Sequence, residues 1–277
     1  MPTRTEAMLT VARQEVLTAL RGRMLLGFGI LFTLLSVGVA LAGLGGSGQL
    51  LVQGFTRTGV SMLPLSVYLL PLLGLLLGAS AFGGEDGGAE LMLAQPLGRM
   101  EVLLGRALGL SAALSAAALV GFGATGALVA IGAGSSGLGG YLVVVGGAVV
   151  VGIVGLALGI LLGVAARTRG AAVGWALTTW FAAAVLYDLA AIGVLQVVGS
   201  GEPGPWLVAI LALNPLDGVR AIALVTLGAD ILLGPTGAAL RAMLGLWGGA
   251  GWVLASALLW VVGPLAAATW LYGRRDF

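Results

Sequence analysis

Hydrophobic positions are gathered into six long runs, separated by segments that carry most of the charges. The runs cover residues 24–44, 58–82, 102–131, 141–165, 171–198 and 249–272. Each run reaches the ~20 residues that an α-helix needs to cross ~30 Å of hydrocarbon. Lipid offers no hydrogen-bond partner to the backbone, and the runs lack the alternation of barrel strands. The pattern therefore predicts an all-α integral membrane protein with six transmembrane helices in one transmembrane domain, residues 1–277.

Arginine residues fall on alternate connections between the runs, and this asymmetry predicts an orientation. With six spans, ten arginines lie on the same side of the membrane as the termini, namely Arg4, Arg13, Arg21, Arg23, Arg99, Arg106, Arg167, Arg169, Arg274 and Arg275. Only Arg57, Arg220 and Arg241 lie on the opposite side. Cytoplasmic connections of membrane proteins carry the excess of basic residues. The sequence therefore predicts that both termini are cytoplasmic.

The segment before the first run, residues 1–23, has apolar positions at helical spacing with charged residues among them. This pattern predicts an amphipathic helix lying at the cytoplasmic surface of the membrane. A solvated leader with a chance apolar stripe is the alternative.

The long connection 199–248 is more than a simple loop. Its apolar run 206–213 is too short to span, and Asn214-Pro215 breaks it. A helical pattern of apolar residues follows the break. The connection is predicted to form an extracytoplasmic helical hairpin, which either dips into the outer leaflet or serves as a platform for a periplasmic partner.

Asp217 and Arg220 belong to that second pattern and lie three residues apart, so they share a helix face and can pair with each other or with a partner. A seventh span over 206–233 would bury both of them beside a proline. It would also move the C-terminus to the outside, away from the side predicted by Arg274 and Arg275. Together with Asn214 and Pro215, the two charged residues are the candidates for contact with a periplasmic partner.

Composition excludes several classes of function. Hydrophobic residues make up 59% of the chain and charged residues 9%, so the chain is neither a soluble domain nor a nucleic-acid-binding protein. Cys, His and Lys are absent, which leaves no disulfide, no thiolate or imidazole metal site and no Ser-His or Cys-His nucleophile pair. A phosphate-binding loop of the Walker type requires a lysine. No catalytic residue, cofactor or metal is expected, and any ATP must be bound by a separate subunit.

The second cytoplasmic connection, residues 83–101, is the most informative polar segment. Glycines surround two acids, a short helix-like piece follows, and a proline ends it. Such a helix could press into a groove on a soluble partner, or it could rest on the lipid headgroups as an ordinary loop helix. The candidate residues for contact with such a partner are Glu85, Asp86, Glu90, Leu91, Met92, Pro96 and Arg99.

Two further features lie inside the predicted spans. Glycines four residues apart form flat strips for close helix packing, and they are Gly74 and Gly78, Gly105 and Gly109, and Gly155, Gly159 and Gly163.

Asp188 is the only carboxylate within a predicted span, where an ionisable group costs ~2.5–3.5 kcal/mol on insertion scales. It is predicted either to make a buried polar contact or line a substrate path, or to lie at the interface beside Tyr187.

The residues Glu90-Leu91, Leu93, Pro96 and Arg99, followed by Leu103-Leu104-Gly105-Arg106, resemble the signature region of six-span membrane subunits of ABC exporters. In that superfamily the region corresponds to the coupling helix that docks on the ATPase. Tyr187-Asp188-Leu189 and Leu213-Asn214-Pro215-Leu216-Asp217 resemble, more narrowly, the NosY-like subunits of NosDFY transporters, which serve nitrous-oxide reductase maturation. Arg106 stands where lysine is common in the family, and the glycines around Glu85 and Asp86 depart from its pattern.

The resemblance implies a non-catalytic permease subunit in a bacterial inner membrane. Its implied partners are a NosF-like ABC ATPase, a NosD-like periplasmic subunit, a second copy of the chain and the lipid bilayer, without nucleic acid. A drug or polysaccharide exporter remains an alternative within the class. A proton-coupled secondary transporter that uses Asp188, or a passive membrane anchor, remains an alternative outside it.

Overall fold

The structure is a computed structural model that describes residues 4–42, 54–84, 98–198, 210, 213–229 and 235–274. These residues form helices and short turns, with no strand among them. In chain order the helices are α1 (Arg4–Arg21), α2 (Arg23–Leu41), α3 (Phe55–Phe82), α4 (Arg99–Ala133), α5 (Leu138–Ala165), α6 (Arg169–Phe181), a π-helical turn (Ala182–Leu186), α7 (Tyr187–Val198), α8 (Pro215–Thr226) and α9 (Pro235–Arg274). The prediction of an all-α integral membrane protein is confirmed.

Six helices are long and apolar enough to cross a membrane, as predicted. They are Arg23–Leu41, Phe55–Phe82, Arg99–Ala133, Leu138–Ala165, Arg169–Val194 and Ala250–Arg274. The fifth span combines α6, the π-helical turn and the first part of α7. The last helix begins at Pro235, well inside the connection that was predicted to precede the final span. The hydropathy of the sequence marked only the more apolar residues 249–272, whereas the helix already begins in the less apolar stretch before them.

One end of the bundle carries most of the arginines, and we call it the Arg-rich end. Helices α2, α4 and α6 begin there, while α3, α5 and α9 end there. Hydrogen bonds join these termini, since Arg99 Nη1 donates to the Gly273 carbonyl oxygen at 3.4 Å and Arg106 Nη2 donates to the Ala81 carbonyl oxygen at 2.8 Å. The opposite end is called the far end.

Helices α3 and α5 approach each other so closely that their backbones touch. A Cβ atom added at Gly155 would overlap the carbonyl oxygen of Pro71, and one added at Gly78 would lie 2.6 Å from the backbone of Leu156. Close approach of this kind gains van der Waals contact and brings Cα hydrogens against carbonyl oxygens. The glycine strips predicted in the second and fourth spans therefore face each other.

The glycine strip of α4 has a different partner. Gly105 and Gly109 face α1, where added Cβ atoms would lie 2.8 Å from the Met8 carbonyl oxygen and 2.6 Å from the Ala12 carbonyl oxygen. Helix α1 is thus the predicted N-terminal amphipathic helix, separated from α2 by Gly22. It packs on the first turns of α4 at the Arg-rich end.

Helix α8 lies among the spans and enters the bundle from the far end. Its last turn contacts the beginnings of α3 and α5, because Leu227 packs on Gly59 and Gly140. Val219 packs on Gly147, which is about 10 Å further along α5 at 1.5 Å per residue. Of the two forms weighed for the 199–248 connection, these contacts favour the one that dips into the membrane.

Many large apolar side chains point away from the protein, as expected for surfaces that contact lipid. Leu34, Ile131 and Leu259 are 66%, 87% and 70% exposed, one from each of three spans. A soluble protein rarely exposes continuous apolar surface on this scale.

We expect the Gly155→Ala substitution to destabilise the folded protein by about 1–3 kcal/mol, because the new methyl group meets backbone atoms that cannot rotate away. Gly146→Ala on the same helix is the matched control, since no atom lies within 4 Å of a Cβ there. The midpoint of thermal unfolding in detergent should fall for the first variant and stay constant for the second. Equal midpoints would contradict the close packing of α3 on α5.

Candidate functional site

Arg220 on α8 is the centre of a polar cluster that joins three helices. Its Nη1 atom lies 3.5 Å from Oδ2 of Asp188 on α7, and its Nη2 atom lies 3.5 Å from Oδ1 of Asp217 on α8. Nη1 also donates a hydrogen bond of 3.2 Å to the hydroxyl oxygen of Tyr68 on α3. One guanidinium group therefore holds two carboxylates and a phenol together.

Asn214 begins α8 and fixes the position of this cluster. Its Oδ1 atom accepts a hydrogen bond from the Leu216 backbone N–H at 3.1 Å, which caps the helix, and Pro215 occupies the first turn where no N–H is needed. Its Nδ2 atom donates to Asp217 Oδ2 at 2.8 Å and to the Ala183 carbonyl oxygen at 2.9 Å. Local helix capping thus orients the carboxylate toward Arg220.

The π-helical turn in the fifth span supplies the facing surface. Ala183 lies within this turn, and the hydroxyl of Tyr187 directly after it donates to the Ile210 carbonyl oxygen. Trp180 just before the turn donates from Nε1 to the Tyr68 carbonyl oxygen at 2.9 Å. Single π-helical turns inside α-helices occur frequently at functional sites.

The cluster lies within the depth of the spans rather than at their ends. Tyr68 follows Phe55, the first residue of α3, by a rise of about 20 Å. The side chain of Asp217 is 11% exposed, while those of Asp188 and Arg220 are 34% and 32% exposed. Charges at this depth are costly unless they pair with each other, which these do.

Two carboxylates share one guanidinium, so the cluster does not balance its charge. Asp217 is the more buried of the two carboxylates, and it is contacted by both the Arg220 guanidinium and the Asn214 amide.

The cluster brings together all four of the polar side chains that the sequence placed in two separate roles. Asp188 was predicted as an intramembrane polar residue, and Asn214, Asp217 and Arg220 as contacts to a periplasmic partner. Asn214 and Asp217 are 5% and 8% exposed and touch the protein's own helices. The expected pairing of Asp217 with Arg220 is present, whereas the contact with a partner stays a prediction.

Tyr68 and Ala183 were not predicted as members of the site. Tyr68 is the only tyrosine of the second hydrophobic run, which is the one signal in the sequence that marked it. Ala183 takes part through its backbone oxygen, which no pattern of residue types can reveal.

A second cluster at the Arg-rich end is centred on Arg106 of α4. Its Nε atom lies 3.3 Å from Glu15 Oε2 on α1, and its Nη2 atom donates to the Ala81 carbonyl oxygen in the last turn of α3. The guanidinium carbon lies 4.6 Å from the centre of the Phe82 ring. Arg106 thus ties the end of α3 to α1 and α4.

The predicted coupling residues Glu85, Asp86, Glu90, Leu91, Met92 and Pro96 lie outside the described residues, as does the short helix predicted there. Both flanks of this segment are described. On one side Gly83 packs on Ala172 of α6, and Gly84 has φ +96° beside Arg169. On the other side the Gly98 N–H donates to Glu101 Oε2 at 2.8 Å, and Arg99 bonds to the last turn of α9.

No group of three or more His, Cys, Asp or Glu side chains that could hold a metal ion occurs in the part of the chain that the structure describes.

We expect Arg220→Gln to destabilise the protein more than Asp188→Asn, because it leaves two carboxylates facing each other without a cation. The loss should be about 1–3 kcal/mol, below the ~3–5 kcal/mol of a fully buried pair, since Arg220 is partly exposed. Asp188→Asn leaves a balanced pair of Arg220 with Asp217. Thermal unfolding in detergent measures the order of the two variants, and the reverse order would refute this assignment of charges.

Comparisons with known proteins agree on one family. The family model described as "ABC-2 family transporter protein" matches residues 9–277. A "Probable ABC transporter permease protein NosY" of Pseudomonas aeruginosa is 37% identical over 267 residues, covering 90% of this chain and 96% of that protein. Its namesake from Stutzerimonas stutzeri is 34% identical over 240 residues, covering 80% of this chain and 87% of that protein.

These matches confirm the resemblance noted in the sequence and agree with the six spans of the structure. The chain belongs to the ABC-2 transporter family and is a NosY-like ABC transporter permease.

Proposed function

We propose that this permease works in the maturation of nitrous-oxide reductase as the membrane subunit of a NosDFY-type transporter. Its partners would be a NosF-like ATPase, a NosD-like periplasmic subunit and a second copy of the chain. The proposal is supported by the two relatives named as NosY permeases and by the sequence elements shared with that group. A drug or polysaccharide exporter would share the mechanics and differ in the cargo.

The ATPase would bind at the Arg-rich end through residues 83–101, with Glu85, Asp86, Glu90, Leu91, Met92, Pro96 and Arg99 as the contact set. The observation that carries this proposal is the attachment of both flanks of the segment. Gly83 is packed on α6, Arg99 is bonded to α9, and Arg106 joins the end of α3 to α1 and α4. A displacement of the segment would therefore reach five helices at once.

The Arg-rich end would face the cytoplasm of the bacterium, with the membrane domain in the inner membrane. The asymmetry of arginines supports this orientation. In the same orientation α8 and the connections at the far end would face the periplasm, where a NosD-like subunit would bind. Because Asn214 and Asp217 are buried in the described state, their contact with that subunit would require α8 to become accessible in another state of the transporter.

Export of a sulfur species, or mechanical work on the periplasmic partner, suits this chain better than passage of copper ions. The sequence has no cysteine or histidine, and its seven methionines are scattered. Cu(I) is bound preferentially by thiolate and thioether ligands, and clustered ligands are what a pathway needs.

We expect Glu90→Arg to abolish co-purification of the ATPase subunit in mild detergent, because the substitution reverses a charge in the proposed contact. Arg13→Glu on the exposed side of α1 is the matched control, with a charge reversal of equal size at the same end of the bundle. Both variants should reach the membrane in normal amounts. Retention of the ATPase by the Glu90 variant would contradict the proposed contact and would indicate that residues 83–101 form an ordinary loop.

We expect a reporter fused after Phe277 to be cytoplasmic and one inserted near Gly201 to be periplasmic, because an even number of spans returns the chain to its starting side. Paired alkaline-phosphatase and fluorescent-protein fusions measure both positions. A periplasmic signal at the C-terminus would overturn the proposed orientation.

A further inference from the structure

The two halves of the fifth span are held by different kinds of contact. In the half near the Arg-rich end, Ala172 and Ala176 are buried against Leu75 and Ala79 of α3. In the other half, none of the α7 side chains described, residues 187–194, is buried. Among the described residues, the contacts that hold this half are polar, namely Asp188 with Arg220 and Tyr187 with Ile210, while the Ala183 carbonyl oxygen in the turn itself accepts from Asn214.

In a lipid environment, apolar and polar contacts differ in how strongly they hold a helix against the rest of the protein. Apolar side chains gain little by leaving lipid tails for an apolar protein surface, so the exposed Leu189 and Ile192 do not hold α7 against the bundle. An ion pair or hydrogen bond, by contrast, has no equivalent partner in hydrocarbon. Within one copy of the chain, the polar contacts therefore determine whether the outer half of the span is attached to α8.

Helix α8 provides the fixed side of this attachment. Ile222 and Val225 form an apolar cluster with Val253 of α9, and Val219 packs on Gly147 of α5. The π-helical turn, Ala182–Leu186, lies between the firmly packed half and the polar half of the span. Its irregular backbone is a natural place for the helix to bend.

We propose that Arg220 is a positioning residue for transport that holds the outer half of the fifth span against α8. Release of its contact with Asp188 lets α7 bend away at the π-helical turn and opens the polar cluster to water from the far end. Closure restores the contacts with Asp188, Asp217 and Tyr68. The device belongs to the permease itself and acts independently of which cargo is carried.

Solvent access to a single cysteine tests this proposal, since the natural chain has no cysteine that would react. Ala184 is 7% exposed and lies in the π-helical turn, so Ala184→Cys reports on the opening. Ala148→Cys on α5 is the matched control, because Ala148 is 1% exposed and lies in the main apolar core. Both variants are reconstituted in nanodiscs and labelled with a charged maleimide.

Asp188→Asn should raise the labelling rate of Cys introduced at position 184 by about tenfold, which corresponds to ~1.4 kcal/mol in the equilibrium between closed and open states. Asp188→Glu, which keeps the negative charge, should restore protection. Cys introduced at position 148 should stay protected in both backgrounds. Unchanged protection at position 184 in the Asn variant would overturn the proposal, and so would a parallel rise at position 148, which would mean general loosening.

The assembled transporter provides the second measurement. With the ATPase bound, ATP should accelerate labelling at position 184 in the natural background and should accelerate it by a smaller factor in the Asp188→Asn background, where one of the contacts that ATP would have to break is already lost. Equal acceleration by ATP in both backgrounds would show that the Arg220–Asp188 contact does not open and close during the transport cycle. The first measurement needs no ATPase, so its outcome is independent of whether that partner binds.

Discussion

Backbone contact between α3 and α5 is the constraint on which the other elements depend. Glycines remove the side chains that would separate the two helices, so Gly155 meets the backbone of Pro71 directly. The resulting pair presents two adjoining surfaces to α8, which packs on Gly59 of α3 and on Gly147 of α5. A helix that dips into the membrane can hold charged residues at this depth where they pair with each other or border a water-filled cavity. The closely packed pair of spans provides the surface on which α8 and its polar cluster are placed.

The sequence was sufficient for the spans and for the identity of most polar residues, because hydropathy and residue type are local properties. It also placed the helix break at Asn214-Pro215, since helix capping depends on neighbouring residues. It did not reveal that Asp188 and Arg220 meet, because their contact depends on how α7 and α8 pack. Gly105 and Gly109 illustrate the same limit, since a small-residue strip predicts close packing without naming the partner, which is α1.

Helix α3 connects the two clusters of the bundle. Its last turn accepts a hydrogen bond from Arg106, and Tyr68, nearer the far end, accepts one from Arg220. Because α3 is fixed along α5 by backbone contact, a displacement at its Arg-rich end should move the two helices together. In the described residues 187–194 the outer half of the fifth span has no buried side chain, which is why the proposed motion is between α7 and α8. The closely packed pair α3 and α5 thus runs from the Arg-rich end to the polar cluster, where the less closely packed α7 is attached.

Arginine suits both clusters for a reason of geometry. Arg220 reaches Asp188 and Asp217 with different Nη atoms, and Arg106 uses Nε, Nη2 and the face of its guanidinium for three separate contacts. A lysine ammonium is a compact point charge that cannot spread its donors over several separate partners in this way. The tie between α1, α3 and α4 therefore depends on the fork of donors and the planar face of the Arg106 side chain.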